Sequence, residues 1–389
     1  MTKALVIGGS VGGLAAAHEL RTIGADVAVY ERSVDRTQPR GAGIVMQPEV
    51  EELLARLGIS VPSVSVELQE RQQLHHDGRT TRYRAPQWMT AWDTLFHAFR
   101  TPLSDACYRL DSSLQQVVVD SDHVTATFAD GSSARGDFLV GADGVGSTTR
   151  TLLGIPGYIT YSGYVAFRGL EPESGLPDEL RELLAERFTL FGVPGMQMLC
   201  YLVPGADGQL DRGARRVNWV WYVNTPASAV ATLLTGTSGR QFENFLPPGE
   251  LTAENSSALV DLAREALPPQ FGALVQHSTV FLQPVFDRAP AAMVAGRAAL
   301  IGDAAGTVRP HTASGTSKAL GDAAALAHAL ARWSPGDDLP VRLLEHFEHQ
   351  RLSHLIGVAR SGVRMAAQSR LGNTGPDFLT RLALPAGRS

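Results

Sequence analysis

The start of the chain alternates between short apolar runs and a segment of helical composition. Residues 3–7 form an apolar run, residues 14–24 are rich in Ala and Leu and end at a glycine, and residues 26–32 form a second apolar run that ends in charged residues. Short apolar runs bounded by turn residues are typical of strands, so this order predicts a strand, a helix and a second strand. A helix between two such strands predicts a parallel pair with a right-handed crossover.

The middle of the chain follows a period of two. Apolar and polar residues alternate over residues 105–142, with a turn signal at Asp130-Gly131, and again over residues 158–225. Alternation of this kind is typical of strands with one buried face, and an Asp-Gly pair between them predicts a tight hairpin turn. The first stretch therefore predicts a meander, and the second predicts an antiparallel sheet interrupted by a helix near residues 178–187.

A helical period returns at residues 251–270 and again from the last apolar run, which ends in Gly302-Asp303, to about residue 367. Both ends of the chain therefore contain an apolar run that leads into small residues, and the alternating segment separates them. This order predicts the α/β class, with one discontinuous domain and an insertion. We expect a doubly wound nucleotide-binding domain at residues 1–155 and 281–367, an inserted antiparallel-sheet domain for substrate at residues 156–280, C-terminal helices, and a loose tail at residues 368–389.

Composition excludes several classes of protein. Of 389 residues, 44% are hydrophobic and 19% are charged, which is ordinary for a globular protein and too apolar for disorder. A net charge of −5 gives no basic surface of the kind that binds nucleic acid. Cys107 and Cys200 are too few for a disulfide framework or a zinc signature, which predicts a reducing compartment and no bound metal. The chain has neither a signal-peptide pattern nor an apolar run of the ~18 residues that a membrane span needs, so we expect a cytoplasmic protein.

The glycine-rich segment GGSVGG lies between the first predicted strand and the first predicted helix. In a dinucleotide-binding turn the first glycine, here Gly8, makes the turn, and the third, Gly13, lets helix and strand pack closely. Ser10 occupies the middle position, where its side chain either donates to a phosphate or caps the helix. Glu31 ends the second strand and is placed to accept both hydroxyls of a ribose, which suits FAD or NAD and disfavours the 2′-phosphate of NADP.

Two later segments also follow predicted strands. In GADGVGSTTR, Ser147 reads equally well as a helix N-cap and as part of a functional turn. In GDAAGTVRPHTASGTSKALGDA, Asp303 can accept hydrogen bonds from ribityl or ribose hydroxyls. A helix that begins near Ser314 would direct its positive end at a group that becomes anionic, such as the N1–C2=O edge of a reduced flavin. The small residues around it would let that ring approach the backbone.

These three motifs occur in the order and spacing of the FAD-dependent aromatic-ring hydroxylases, the para-hydroxybenzoate hydroxylase-like group A flavoprotein monooxygenases. The chain resembles this family from about residue 3 to residue 367. The resemblance implies non-covalent FAD, NADH or NADPH as electron donor, and O2 as co-substrate. It also implies insertion of one oxygen atom into an electron-rich aromatic or heteroaromatic small molecule through a C4a-hydroperoxyflavin. A homodimer without nucleic-acid or membrane partners fits the same family.

The resemblance also implies a role for individual residues. The GGSVGG turn would hold the FAD pyrophosphate, Glu31 the adenosine ribose and Arg32 the adenine, and Gln47 would lie near the ring system. Asp143-Gly144 would belong to a motif that contacts both FAD and the nicotinamide cofactor. Asp303 would hold the ribityl chain, and residues 310–316 would border the isoalloxazine. The full set of expected cofactor-binding residues is Gly8, Gly9, Ser10, Val11, Gly13, Glu31, Arg32, Gln47, Asp143, Gly144, Gly302, Asp303, Pro310, Ala313, Ser314, Gly315 and Thr316.

The sequence departs from the family pattern at three places. Trp92 stands where an R-x-x-L segment commonly places an arginine on the pyrophosphate. Gly306 replaces the histidine that commonly follows the GDAA segment, and Ala313-Ser314-Gly315 replaces Gly-Gln-Gly. These differences bear on phosphate contact and flavin mobility.

His311 is the candidate catalytic residue, and it also belongs to the expected substrate site. An unperturbed histidine titrates near ~6.5, and the motif places His311 beside the flavin ring, so it can relay the proton of a substrate hydroxyl. A packed turn histidine is the alternative interpretation. Arg168, on the strand YVAFRGL, is expected to orient an anionic substrate, with an external salt bridge as its alternative.

Other patterns have simpler explanations. Trp219 and Trp221 resemble part of a halogenase motif, but aromatic residues with a period of two on one sheet face explain them better. His346 and His349 are spaced as on one face of a helix, and a solvated face explains them better than a metal site.

Two other functions remain open at this point. A Baeyer–Villiger-type or epoxidising enzyme would use the same cofactor with a different outcome, and a flavin-containing protein could bind a ligand without turnover.

Overall fold

The structure is a computed structural model that describes residues 1–33, 43–157, 159–288 and 291–372. Most of the predicted loose tail, from residue 373 onward, lies outside the described residues. The part that is described packs against the body of the protein, since Leu371 is buried and the Asn224 side chain bonds to the backbone of Arg370 and Gly372.

The predicted helices are present, and three more occur at residues 48–56, 92–100 and 227–233. Their bounds are α1 Val11–Thr22, α2 Pro48–Arg56, α3 Trp92–Arg100, α4 Thr148–Leu152, α5 Asp178–Leu184, α6 Ala227–Leu233, α7 Ala253–Ala266, α8 Pro269–Gln276, α9 Gly302–Ala305, α10 Gly315–Leu330 and α11 Val341–Gln368.

The strands fall into three sheets. Their bounds are β1 Lys3–Ile7, β2 Asp26–Tyr30, β3 Gly43–Val45, β4 Val66–Leu74, β5 Thr80–Ala91, β6 Tyr108–Arg109, β7 Leu114–Val119, β8 Val124–Phe128, β9 Ser133–Gly136, β10 Phe138–Gly141, β11 Ile159–Pro172, β12 Arg187–Val193, β13 Met196–Val203, β14 Arg216–Asn224, β15 Phe281–Arg288, β16 Val294–Ala295 and β17 Ala298–Leu300.

The first sheet contains the predicted strand–helix–strand unit. Its order is β16-β17-β10-β1-β2-β6, and every neighbouring pair except β16 with β17 is parallel. Helices α1 and α10 cover one face, where Leu14 and Leu320 belong to one apolar core. The other face packs against β7-β8-β9 through residues such as Leu5 and Phe128, where a doubly wound sheet would have helices. These three strands form the predicted meander, but it is shorter than predicted, because β6 and β10 join the six-stranded sheet.

The second sheet is antiparallel as predicted except at one pair, since β4 and β12 run parallel, and it is larger than predicted. Its order is β15-β11-β14-β13-β12-β4-β5-β3, so it also recruits β3, β4 and β5, which precede residue 156, and β15, which follows residue 280. One face is covered by α5, α7 and α8, and Trp219 and Trp221 are fully buried in that core. Their alternation on one sheet face is the interpretation that the sequence favoured.

No helix in the described parts of the chain is long and apolar enough to cross a bilayer.

Candidate functional site

The three sequence motifs meet at one edge of the six-stranded sheet. The register aligns Ile7 with Tyr30 on one side and with Gly141 on the other, and Gly141 in turn with Leu300. Because these strands are parallel, the segments that follow them leave the sheet at its carboxyl edge. Ligands of open α/β sheets bind in the crevice at this edge. This edge therefore brings together Glu31, the GGSVGG turn, the Asp143 loop and the Asp303 turn.

The GGSVGG turn depends on the absence of side chains. Gly8 has φ of +100°, and a Cβ there would lie 2.5 Å from the Ala142 carbonyl oxygen. A Cβ on Gly13 would lie 1.8 Å from the Gly8 carbonyl oxygen, so α1 can approach the turn only because residue 13 is glycine. Ser10 occupies the N-cap position of α1, yet its side chain makes no capping hydrogen bond. The hydroxyl is thus available to a ligand.

Glu31 is buried at the end of β2, where the sequence places it. Its carboxylate accepts a hydrogen bond of 2.6 Å from the Gly9 N–H and one of 2.7 Å from the Ser33 N–H. The Tyr108 hydroxyl donates to the Gly9 carbonyl oxygen at 3.0 Å and supports the same turn. Arg32, the next residue, is exposed.

The Asp143 loop is held by its own hydrogen bonds. The Asp143 carboxylate accepts from the Ser147 hydroxyl and, at 2.9 Å each, from the N–H and hydroxyl of Thr149. Ser147 caps α4, because its hydroxyl oxygen accepts from the Arg150 N–H at 3.0 Å. Gly144 has φ of +77°. The carboxylate of Asp143 therefore shapes the loop, and the N-cap interpretation of Ser147 is confirmed.

Arg150 connects this loop to the third motif. Its guanidinium donates to the Ala304 carbonyl oxygen at 2.8 Å, and burial lowers the pKa of the group. The motif pattern alone assigns Arg150 no role, because this contact joins segments that are distant in the sequence.

The GDAA segment forms the single helical turn α9 against α10. Gly302 has φ of +59°, and a Cβ there would lie 3.0 Å from the Ala319 side chain. The Asp303 side chain is 43% exposed, so its carboxylate is accessible to a ligand, and its Oδ1 lies 3.6 Å from Nζ of Lys318. Lys318 is not among the site residues expected from the sequence. A signal was available, because Lys318 is one of only two lysines in the chain.

The start of α10 has the geometry that the sequence predicts. The helix begins at Gly315 with Ser314 as N-cap, directly after a short turn at Pro310–Thr312. Ala313 has φ of +54°, a left-handed conformation that is uncommon for residues other than glycine. The Gln47 side-chain amide donates to the Ala313 carbonyl oxygen at 3.1 Å. Thr316 is half-buried, whereas Gly315 has open space where a side chain would be.

His311 lies between this turn and the eight-stranded sheet. Its Nδ1 is 3.0 Å from Oε1 of Gln197, and its Nε2 is 3.1 Å from the hydroxyl oxygen of Tyr164. A neutral ring that donates from Nδ1 and accepts at Nε2 satisfies both contacts. Burial, helped by the Arg309 guanidinium, lowers the pKa of His311 to about 4. The pKa of His311 is therefore lower than the ordinary value expected from the sequence, because the folded chain buries most of the ring.

The face of the sheet toward His311 carries buried polar groups. The Arg168 guanidinium donates to the Gln283 amide oxygen at 2.7 Å, and its Nε is buried without a partner among the described residues. On the next strand, the Asn218 amide oxygen accepts from the Gly43 N–H at 2.9 Å, while its Nδ2 is buried and unpaired within the described chain. Arg168 forms no ion pair with any described residue, so the external salt bridge is not observed.

A buried tyrosine completes this face. The Tyr222 ring centroid lies 4.7 Å from that of His311, and burial raises the pKa of Tyr222 to about 12. Its hydroxyl therefore stays protonated and can donate. We name the set Tyr164, Arg168, Gln197, Asn218, Tyr222 and Gln283 the polar face.

At Trp92, where the family commonly has an arginine, the side chain packs within α3. Trp92 stacks on Phe96 with ring centroids 5.2 Å apart. The adjacent Asp93 forms a buried two-bond ion pair with Arg216, at 2.7 and 2.9 Å, which connects α3 to the eight-stranded sheet. This end of α3 thus joins the two sheets.

The histidines of α11 differ in their surroundings, and His354 lines a cavity together with Thr312 and Ser314 at the start of α10. His346 and His349 are exposed, and no group of three or more potential metal ligands occurs within the described ranges.

Comparison with known proteins agrees with the motifs. A family model described as FAD binding domain matches residues 1–173 and 252–361, and one described as FAD binding domain-like matches residues 161–287. The chain is 31% identical to 2,6-dihydroxypyridine 3-monooxygenase of Paenarthrobacter nicotinovorans, with 84% of this chain and 82% of that protein covered. It is 27% identical to 6-hydroxynicotinate 3-monooxygenase of Bordetella bronchiseptica, with 96% and 93% covered.

A solved structure extends the likeness to three dimensions. The structure of 2,6-dihydroxypyridine-3-hydroxylase from Arthrobacter nicotinovorans superposes with a TM-score of 0.88 at 29% identity, over 99% of this chain and 96% of that one. In sequence, the segments at residues 41–50, 161–170 and 309–315 already resemble that enzyme within the family.

Proposed function

Because this chain belongs to the family of FAD-dependent aromatic hydroxylases, we propose that it uses NADH or NADPH and O2 to insert one oxygen atom into a small, electron-rich heteroaromatic substrate. The polar face around His311 is the observation that carries the substrate class. Two of the relatives are named for hydroxylated pyridines, whose ring oxygens and nitrogens need hydrogen-bonding partners of this kind.

The crevice has a group suited to each part of FAD. The N-terminus of α1 suits the pyrophosphate, because a helix start offers unpaired N–H groups and positive potential. The Ser10 hydroxyl makes no capping hydrogen bond and can donate to the same group. The oriented carboxylate of Glu31 suits the adenosine ribose, and the half-exposed Asp303 suits the ribityl chain. Bound FAD, once reduced by the nicotinamide, supplies the activation of O2.

The start of α10 suits the ring of the flavin. The left-handed turn at Ala313 and the open space at Gly315 leave the backbone accessible, and Gln47 holds the turn from the other side. The positive end of α10 stabilises negative charge on an adjacent group. We infer that Pro310, Ser314 and Thr316 border the ring, and that FAD is held without a covalent bond.

The polar face suits a substrate that carries a hydroxyl or carbonyl group. The unpaired donors of Arg168 and Asn218 supply hydrogen bonds to an anionic or carbonyl oxygen, and a buried donor left unpaired is costly. His311 is neutral above its lowered pKa of about 4, and its Nε2 accepts from the Tyr164 hydroxyl, so the substrate proton passes to Tyr164 as the Tyr164 proton passes to His311. Removing that proton enriches the ring in electrons.

The same face favours this outcome over the alternatives. An epoxidising enzyme for an apolar alkene has no use for two unpaired buried donors. A binding protein without turnover has no use for a proton carrier beside the ring. A Baeyer–Villiger outcome remains a second candidate, because a carbonyl substrate would also accept these hydrogen bonds.

The test is a panel of hydroxylated pyridines added to the purified yellow protein with NADH or NADPH and O2. We expect the hydroxylated members to accelerate nicotinamide oxidation and to gain one oxygen atom with the ring intact, as seen by mass spectrometry. Pyridines without a hydroxyl or carbonyl group are the control and should not be converted. Acceleration without an oxygenated product, across the whole panel, would contradict the proposal.

We also infer a cytoplasmic, homodimeric protein without nucleic-acid or membrane partners. The free thiols of Cys107 and Cys200 and the net charge of −5 support a reducing compartment and argue against a polyanion as partner. Light scattering on the purified protein tests the dimer.

A further inference from the structure

The chain uses lysine at only two of its 34 basic positions, Lys3 and Lys318. Lys3 is exposed, whereas the side chain of Lys318 is completely buried on α10. Burying an ammonium group is costly unless hydrogen bonds and an opposite charge compensate it. The buried ammonium of Lys318 therefore requires compensating contacts, which a lysine on the surface would not need.

The contacts of Lys318 point to the GDAA turn. Its Nζ donates to the Gly306 carbonyl oxygen at 2.8 Å and lies 3.6 Å from Oδ1 of Asp303. One turn later on the same helix, the buried Asp322 carboxylate accepts from the Gly302 N–H at 2.9 Å and from the Arg351 Nε at 2.6 Å. Both ends of the turn are thus fixed to α10 by charged groups.

We propose that Lys318 is a positioning residue for FAD, which acts through Asp303. The ammonium holds the half-exposed carboxylate and the carbonyl of Gly306 in the arrangement that receives the ribityl hydroxyls. This inference rests on the proposed assignment of Asp303 to the ribityl chain. It deepens that assignment, because it makes the buried face of the turn part of the cofactor site.

The geometry also explains why the residue is lysine. A lysine carries a compact charge with three donors at the end of a flexible stem, whereas arginine presents a wide planar fork. The space under the turn is narrow, since a Cβ on Gly302 would already lie 3.0 Å from the Ala319 Cβ. An ammonium group can reach a carbonyl and a carboxylate there with little lateral room.

A double-mutant cycle on FAD affinity tests the inference. Lys318→Met keeps the length of the side chain and removes its charge, and Asp303→Asn removes the charge of its partner. We expect each substitution to weaken FAD binding to the apoprotein by roughly tenfold, measured by quenching of flavin fluorescence. The double variant should bind roughly fivefold or more tighter than the product of the two effects predicts. Lys318→Arg should restore only part of the loss.

The matched control pairs Lys318→Met with Glu31→Gln, which lies at the far end of the proposed cofactor. These two effects should multiply, because their sites share no contact. Full additivity between Lys318→Met and Asp303→Asn would overturn the positioning role and leave the monooxygenase proposal standing. Unchanged affinity in Asp303→Asn would overturn both the ribityl assignment and the positioning role, again without touching the reaction.

A spectroscopic test uses the wild-type chain and so does not depend on the folding of a variant. Protein labelled with 13C at the lysine side chains should give signals from Lys3 and Lys318 alone. Addition of FAD to the apoprotein should shift the Lys318 signal and leave that of Lys3 in place. An unshifted Lys318 signal at saturating FAD would overturn the inference.

Discussion

At the scale of single residues, Glu31 depends on the backbone around it. Two N–H groups orient its buried carboxylate, so its oxygens are fixed before any ligand arrives. Glu31→Ala should weaken FAD binding by about 1.5–3 kcal/mol, the usual contribution of hydrogen bonds to a charged group, measured as the affinity of the apoprotein for FAD. Glu254→Ala, at an exposed position on α7, is the control and should bind FAD as the wild type does.

His311 should affect the reaction more than the cofactor. We expect His311→Asn to bind FAD and to oxidise NAD(P)H, but to release more hydrogen peroxide per product formed, because the substrate hydroxyl loses its proton carrier. Peroxide and product are quantified together in one turnover assay. If coupling and its pH profile match the wild type, the histidine is a packing residue of the turn.

The lowered pKa of His311 also has a consequence for stability. A ring with a pKa of about 4 when folded and ~6.5 when unfolded binds more protons in the unfolded state between these two values. The free energy of unfolding should therefore fall as the pH drops through this window. The slope should exceed that of His311→Asn by up to about 1.4 kcal/mol per pH unit. Urea titrations at several pH values measure it.

The matched control for that experiment is His346→Asn, which changes an exposed histidine of α11. It should keep the wild-type slope. Equal slopes in wild type and His311→Asn would mean that the ring is not desolvated as the structure indicates.

At the scale of elements, glycines decide how closely helices approach strands. Gly13→Ala should destabilise the protein and abolish FAD binding, because a Cβ 1.8 Å from a carbonyl oxygen forces α1 away from its turn. Gly357→Ala is the opposite case, since a Cβ there meets nothing and the residue is inside the long helix α11. It should stabilise the protein by up to about 1 kcal/mol. Thermal unfolding of both apoproteins distinguishes the two effects.

The sequence predicts elements well where a local pattern exists. The start of α10 at Gly315, the meander and the strand–helix–strand unit all follow from periodicity and turn residues. The four-residue helix α9 has no period to detect. The addition of β3, β4 and β5 to the large sheet also escapes local patterns, because pairing between distant strands depends on packing that sequence neighbours do not encode.

The same limit applies to the site. Glu31 and Asp303 are identifiable because each follows a recognisable strand, whereas Gln197 and Tyr164 meet His311 only through the register of three separate segments. The lowered pKa of His311 could not be read from its motif, because burial is a property of the folded chain.

At the scale of the whole molecule, the buried pair of Asp93 and Arg216 connects α3, which packs in the core of the six-stranded sheet, to the eight-stranded sheet. Arg216→Met should cost about 3–5 kcal/mol of unfolding free energy, because it leaves a buried carboxylate without its partner. The double variant Asp93→Leu with Arg216→Met should recover part of this loss. The exposed pair of Asp261 and Arg264 is the control, and Arg264→Met should change stability by less than about 1 kcal/mol. Equal costs in the two single variants would contradict a joining role.

The parallel sheet has a consequence for how the protein is made. Its central neighbours β1, β10 and β17 come from the beginning, the middle and the last third of the chain. A ribosome adds about 5–20 residues per second, so roughly 15–60 s pass between the synthesis of β1 and that of β17. Throughout this interval the apolar face of α1 lacks its packing partner α10. The cofactor site is therefore complete only after α10 has left the ribosome, and until then apolar surface of the nascent chain lacks its native partner.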